Sequence, residues 1–111
     1  MSDAAPVDAV AFLYRWRLKP GMEAHFVEAW TRRTESLLGR GSLGSRLHRG
    51  DDGMWYGYAL WPSERARERA FATTIMAEGP SMDDAVVERM PEVRLETVVD
   101  RLVATSPAAG A

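Results

Sequence analysis

The chain has 111 residues, which suits one domain with one hydrophobic core, and its 46% hydrophobic and 27% charged content is an ordinary globular balance. The formal net charge of −2 argues against a general attraction to nucleic acid or to an anionic membrane. The absence of cysteine excludes disulfides, thiolate metal sites and cysteine nucleophiles.

The sequence predicts one domain over residues 8–103, with flexible termini at 1–7 and 104–111. The first residues show no basic region followed by an apolar core, so a signal peptide is not expected. No apolar run approaches the roughly 20 residues that cross a membrane. We therefore expect a cytoplasmic protein without a membrane partner.

The first predicted strand covers Ala9 to Leu18, which is rich in β-branched and aromatic side chains. Successive strand residues point to opposite faces of a sheet. One face should therefore carry Val10, Phe12, Tyr14, Trp16 and Leu18, and the other Ala9, Ala11, Leu13, Arg15 and Arg17.

The stretch from Met22 to Leu38 has helical period and ends before Gly39 and Gly41. Glu28 and Arg32 should pair on the far face of this helix. His25 falls outside the apolar stripe and should face solvent. The predicted stripe contains Phe26, Val27, Trp30, Leu37 and Leu38, with Thr34 inside it.

Two strands, Ser42 to Arg49 and Met54 to Trp61, should form a hairpin around the turn sequence GDDG. His48 should share a face with Arg46, as a surface or interface histidine. In the second strand the small and indole residues Trp55, Gly57, Ala59 and Trp61 should face the helices. The other face would then carry Met54, Tyr56, Tyr58 and Leu60, an apolar row that suggests burial against a second copy of the chain.

A second helix should begin after Pro62, with Ser63 as its cap, and end at Gly79-Pro80. Its alternating charges, which include Arg65, Arg67 and Arg69, predict a solvated face. Ser81 and Asp84 predict a short helix over Met82 to Met90, and a last strand should cover Glu92 to Val103.

The order strand, helix, strand, strand, helix, strand predicts a ferredoxin-like α+β fold, βαββαβ, with a four-stranded antiparallel sheet and helices on one face. No phosphate loop, nucleophile elbow or hydrolase triad is present. The two histidines have no metal-ligand spacing, so no metal site is predicted.

The stretches YRWRLKPGMEAHFVEAW and GSLGSRLHRGDDGMWYGYALWPSERARERAF, together with the strand order, resemble the antibiotic biosynthesis monooxygenase family over about Ala9 to Val103. The resemblance implies a dimeric α+β barrel, in which two sheets pack face to face and a ligand cavity lies between each sheet and its helices. Some members oxidise aromatic, polyketide-like substrates with O₂ and without metal or flavin, and others degrade haem. A homodimer that takes a small aromatic ligand, needs no cofactor and binds no nucleic acid is therefore expected.

The resemblance also points to candidate site residues. Trp61 matches the family's tryptophan at the cavity mouth, where it could stack on a flat ligand or be a plain core residue. Gly57 and Ala59 would form the cavity floor, unless they simply admit a closely packed helix. Tyr14 could hydrogen-bond an oxygenated ring, or could be a core tyrosine with its hydroxyl at the edge. Thr34 could face the cavity or bond back to its own helix. The candidate ligand contacts are Phe12, Tyr14, Trp30, Thr34, Gly57, Ala59 and Trp61, and no catalytic residue is assigned.

Two functions stay open. One is a cofactor-independent oxygenase acting on an aromatic, polyketide- or quinol-like molecule. The other is a non-catalytic small-molecule-binding or structural dimer of the same fold. Haem degradation is not expected, because the haem-degrading members carry a histidine in the helix after the Trp-x-Ser junction, where this chain reads ERARERAFATT.

Overall fold

The computed structural model describes residues 9–73 and 81–103. The predictions for the two termini and for the helix end at Gly79-Pro80 lie outside the described residues. The strands are β1 (Val10–Leu18), β2 (Gly44–Arg49), β3 (Trp55–Trp61), β4 (Val86–Arg89) and β5 (Val93–Glu96). The helices are α1 (Glu23–Leu38) and α2 (Glu64–Thr73), and a 3₁₀ turn covers Met82–Ala85.

The strands form one antiparallel sheet with β1 in its interior. On one side β1 pairs with β3, which pairs with β2. On the other side two short strands share β1: β5 pairs with its first half and β4 with its last residues. The ferredoxin-like α+β fold is thereby confirmed, with five strands among the described residues rather than the predicted four.

The helix predicted over Met82 to Met90 is limited to the 3₁₀ turn Met82–Ala85, and the strand predicted over Glu92 to Val103 is limited to Val93–Glu96; the predicted lengths are wrong. The Ser81 hydroxyl does accept a hydrogen bond from the Asp83 N–H at 3.2 Å, but the helix lasts a single turn. The β-branched residues that follow prefer extended backbone, and Val86 pairs with Leu18 in the sheet. Strand pairing then stops before Pro91, which has no N–H to donate, and resumes only over Val93–Glu96.

The two faces of β3 alternate as predicted. Trp55, Gly57, Ala59 and Trp61 are buried towards the helices, and Tyr56, Tyr58 and Leu60 on the other face are half-buried. The predicted alternation of this strand is therefore confirmed.

Helix α1 buries a narrower stripe than predicted. Phe26, Ala29 and Leu37 are its buried residues. Val27 and Leu38 are exposed, because each lies one residue further along and hence about 100° further round the helix. The predicted pair of Glu28 and Arg32 is present, with Nη1 3.8 Å from Oε1.

The core under the helices consists of two clusters. One contains Val10, Phe12, Leu37, Ala59, Trp61 and Ala70. The other contains Trp16, Phe26, Trp55 and Ala85. Tyr14, on the interior strand β1, packs against both clusters and is only half-buried. The helices therefore leave accessible surface at the middle of the face they cover.

Candidate functional site

Tyr14 occupies the centre of the sheet face under the helices, opposite Gly57 in the register of β1 and β3. Its ring stacks on Trp16, with ring centroids 5.8 Å apart and planes 16° apart. Its hydroxyl oxygen accepts a hydrogen bond from Nη2 of Arg67 at 3.1 Å. Within the described ranges the hydroxyl proton has no acceptor, so this phenol can still donate to a ligand.

Arg67 was predicted to lie on a solvated helix face, and this prediction is wrong. Its side chain is only 13% exposed. The guanidinium carbon lies 3.8 Å from the centroid of the Phe12 ring and 4.7 Å from that of Phe71. Nη2 also lies 3.1 Å from each carboxylate oxygen of Glu92. Nε is buried and has no hydrogen-bond partner among the described residues.

The signal for Arg67 in the sequence is weak but present. Ala66 and Ala70 mark the side of α2 that packs on the first cluster, and Arg67 borders that side. The neighbouring charges Arg65, Glu68 and Arg69 are exposed. Only the partners of Arg67, which come from other strands and loops, distinguish it from the rest of the charged run.

The space above Gly57 is filled by an indole. A Cβ atom at this position would lie 3.1 Å from Cη2 and Cζ3 of Trp16 and 3.6 Å from Cδ1 of Leu47. The glycine therefore admits a close neighbour, although that neighbour is a side chain of β1 and not a helix. Ala59 is buried within the first cluster, beside Phe12.

Trp61 is fully buried. Its ring makes an edge contact with Phe71, with centroids 6.0 Å apart and planes at 87°. Its indole N–H has no hydrogen-bond partner in the described part of the chain. The ring therefore belongs to the core, in contact with the less buried Phe71.

The two candidates on α1, Trp30 and Thr34, are both half-buried. Trp30 packs against the second cluster. The Thr34 hydroxyl makes no hydrogen bond to any described residue, whereas Thr31 donates to the Val27 carbonyl at 2.7 Å. The hydrogen bond to its own helix that was one possibility for Thr34 is therefore not made within the described residues; Thr31, one turn earlier, makes a bond of this kind.

Neither histidine contacts Tyr14 or Arg67. His48 is exposed and pairs across the hairpin with Tyr56, on the face turned away from the helices. His25 was expected to face solvent, but it is half-buried, with Nε2 3.0 Å from the Ser81 carbonyl oxygen and 3.7 Å from a carboxylate oxygen of Asp84.

Neither a metal centre nor a membrane span is found in the described ranges. Across residues 9–73 and 81–103, no group of three or more His, Cys, Asp or Glu side chains is placed to hold a metal ion. None of the helices described there has the length and hydrophobicity to cross a membrane.

A separate open groove of about 550 Å³ lies between the end of α1 and the start of α2. Arg40 reaches across it to donate to the Thr73 hydroxyl at 3.3 Å. The Ser63 hydroxyl accepts from the Ala66 N–H at 3.1 Å, which confirms the predicted cap of α2. The groove is lined by Gly39, Arg40, Gly41, Pro62, Ser63, Ala66, Arg69, Ala70 and Thr73, and so excludes Tyr14 and Arg67.

Comparison with known proteins relates this fold to a set of solved structures. No protein-family model and no curated protein sequence matches the chain. SnoaB, a cofactor-independent oxygenase from Streptomyces nogalater, is 17% identical, with a TM-score of 0.66 over 85% of this chain and 97% of that chain. A candidate antibiotic biosynthesis monooxygenase from Caulobacter crescentus is 15% identical, with a TM-score of 0.66 over 83% of this chain and 92% of the other.

The chain has the fold of the antibiotic biosynthesis monooxygenases. The same fold is found in a haem-degrading protein from Mycobacterium tuberculosis, which is 16% identical with a TM-score of 0.62 over 83% of this chain and 96% of the other. At such identities the likeness establishes the fold and not the reaction, since one scaffold can carry several chemistries. The choice between them depends on the side chains of this chain.

Proposed function

We propose that this protein is a small cofactor-independent monooxygenase that acts with O₂ on an aromatic, polyketide- or quinol-like molecule. The observation that carries the proposal is the Tyr14 hydroxyl, which lies between two apolar clusters with its proton unused in the described part of the structure. An oxygenated ring held over the middle of the sheet would accept that proton in a hydrogen bond. Of the other candidates, Phe12 lies in the first cluster and Trp30 packs against the second.

In the proposed reaction the substrate itself supplies the electrons. Its deprotonated form gives one electron to O₂, and the resulting substrate radical and superoxide combine to form a C–O bond. Protonation and loss of water from this peroxide leave a carbonyl, so that one oxygen atom enters the product and the other leaves as water. The protein contributes orientation, hydrogen bonds and exclusion of water.

The test is O₂ consumption by the purified protein against a panel of anthrols, quinols and phenols, with a metal chelator present. A substrate of the proposed class should be oxidised with the consumption of one O₂ molecule per substrate molecule. Tyr14→Phe should lower the rate by about tenfold, the effect expected for one lost hydrogen bond. Tyr58→Phe, a matched change on the opposite face of the sheet, should leave the rate unchanged.

The alternative, a binding or structural dimer without catalysis, is favoured by the packing around Gly57 and Trp61. The Trp16 indole occupies the space above Gly57, and Trp61 is fully buried in the core. Binding of the aromatic panel without any O₂ consumption would select this function. Haem degradation is not proposed, because His48 faces away from the helices and Nε2 of His25 contacts the Ser81 carbonyl.

The protein is further proposed to act as a homodimer joined through the sheet face opposite the helices. The half-buried row Tyr56, Tyr58 and Leu60 supports this arrangement. Dimers that pack two sheets face to face would cover these side chains.

A further inference from the structure

We propose that Arg67 and Tyr14 together bind an anionic oxygen of the ligand, a phenolate, enolate or carboxylate carried on an aromatic ring. The inference rests on the proposed function only in placing an aromatic ligand beside Tyr14, and it requires no turnover. Arg67 thereby becomes the residue that selects anionic over neutral ligands.

Arg67 carries a positive charge on a largely buried side chain. The Arg67 side chain is only 13% exposed, and a charged group on such a side chain loses much of its hydration and needs a counter-charge. Among the described residues, Glu92 is the one carboxylate paired with it, and the Glu92 side chain is 47% exposed. A single nitrogen, Nη2, contacts both carboxylate oxygens, so the two-nitrogen fork that usually grips a carboxylate is not used.

Two hydrogen-bond donors at or beside the guanidinium, Nε of Arg67 and the Tyr14 hydroxyl, have no acceptor among the described residues. Nε of Arg67 is buried without a hydrogen-bond partner in the described structure, which is uncommon for a buried polar atom. The Tyr14 hydroxyl accepts from Nη2 at 3.1 Å, and no residue in 9–73 or 81–103 accepts the hydroxyl's own proton. A ligand oxygen that accepts this proton lies within Coulombic reach of the guanidinium.

Aromatic rings surround the Arg67 guanidinium. The rings of Phe12 and Phe71 lie against it, with centroids 3.8 Å and 4.7 Å from its central carbon. Exclusion of water by such rings strengthens an ion pair. Phe12 is buried beneath the guanidinium, whereas Phe71 is 36% exposed and offers an apolar surface to the ring of a ligand. Tyr14 and Phe71 retain accessible surface, so a ligand can approach from solvent. The site therefore suits a flat aromatic anion.

The proposal is tested by calorimetric titration with two matched pairs of probes. The carboxylate pair is 2-naphthoate and 2-naphthamide; the phenolate pair is 4-nitrophenolate and 4-nitroanisole. The wild-type chain should bind at least one anion about tenfold more tightly than its neutral counterpart, the scale of one charge-assisted hydrogen bond. The pair that shows this preference distinguishes a carboxylate ligand from a phenolate or enolate one.

Substitutions separate a binding role from a structural one. Arg67→Met should abolish the preference for the anion, and Arg67→Lys should keep part of it. Glu92→Gln should strengthen anion binding several-fold, because it removes the resident competitor for the guanidinium. A purely structural Arg67–Glu92 pair predicts the opposite, no change or weaker binding. Arg65→Met, the same charge change at an exposed position of the same helix, is the control.

Three results would overturn the proposal: an equal preference in Arg67→Met, no gain in Glu92→Gln, or no anion binding by the wild type. Should Arg67→Met fail to fold, Arg67→Lys and Glu92→Gln carry the test. Preference for anions without O₂ consumption would reject the oxygenase function alone. O₂ consumption without preference for anions would reject this inference alone.

Discussion

At the residue scale, the position of the Trp16 indole requires a glycine at position 57. The indole of Trp16 lies so close to the backbone of β3 that a Cβ at Gly57 would sit 3.1 Å from two of its ring carbons. The same indole makes an edge contact with Phe26, with centroids 5.0 Å apart, so it cannot withdraw without disturbing the second cluster. A larger residue at position 57 must therefore displace a packed aromatic ring.

We expect Gly57→Leu to destabilise the chain by about 1–3 kcal/mol, the usual effect of overpacking a core. The measurement is the free energy of unfolding in denaturant. Gly39→Ala is the control, because Gly39 has a helical φ of −73° and a Cβ there would meet only the Ser36 carbonyl oxygen, at 3.7 Å. That change should leave stability the same or raise it by up to about 1 kcal/mol. Unchanged stability in Gly57→Leu would mean that the space above the glycine is open.

The position of Tyr14 could be predicted from sequence, but that of Arg67 could not. Alternation along β1 is enough to place Tyr14 on the face under the helices. The burial of Arg67 depends on partners far away in the chain, since Tyr14 is 53 positions distant and Glu92 is 25. A charged run on a helix gives no local indication of such partners.

At the scale of elements, the bounds of β1, β3 and α1 agree with prediction to within one residue because each has a clear period, although α1 buries a narrower stripe. The segment after Ser81 was mispredicted because its local signals conflict. Its cap residue indicates a helix, whereas Val86 and Val87 favour a strand, and tertiary pairing with β1 decides the outcome.

The turn between β2 and β3 is held by Asp52. One carboxylate oxygen accepts the Met54 N–H at 2.9 Å, and the other accepts the Tyr56 hydroxyl. Gly53, with φ of +85°, supplies the left-handed backbone that this turn needs. These contacts join the turn to the first residues of β3.

The hydrogen bond from Tyr56, followed by that from the Met54 N–H, lowers the pKa of Asp52 below its ordinary 3.8. A lowered pKa in the folded state means that the stabilisation is present above pH 3.8 and is lost as pH falls through the folded pKa. The same contact raises the pKa of Tyr56 above 10.0, so at the alkaline end the stabilisation is lost as pH rises through that raised value.

We expect an NMR titration of the Asp52 carboxyl to give a midpoint below 3.8 in the wild type. Tyr56→Phe should move this midpoint upwards, because it removes the largest cause of the shift. Tyr58→Phe, two residues along the same face, should not move it. A midpoint that stays in place in Tyr56→Phe would show that the tyrosine does not stabilise the carboxylate.

At the scale of the whole molecule, the sheet face opposite the helices is apolar at one end and charged at the other. The strand register places Val93, Leu13 and Tyr58 in one row and Leu95, Ala11 and Leu60 in the next. Towards the other end the rows carry Arg15 and His48 beside Tyr56, and then Arg17 beside Glu88. Contiguous apolar surface of this kind is typical of an interface.

We expect the chain to form a dimer through this apolar end. By light scattering at micromolar concentration, the wild type should have about twice the 12.4 kDa mass of one chain. Leu95→Glu should convert it to a monomer that is still folded, because Leu95 is already 41% exposed in the single chain and a charge there disturbs little else. Val27→Glu is the matched control, since Val27 is 40% exposed on α1, away from this face, and it should remain a dimer. A wild type that is monomeric, or a Leu95→Glu variant as dimeric as Val27→Glu, would contradict an interface at this end of the sheet.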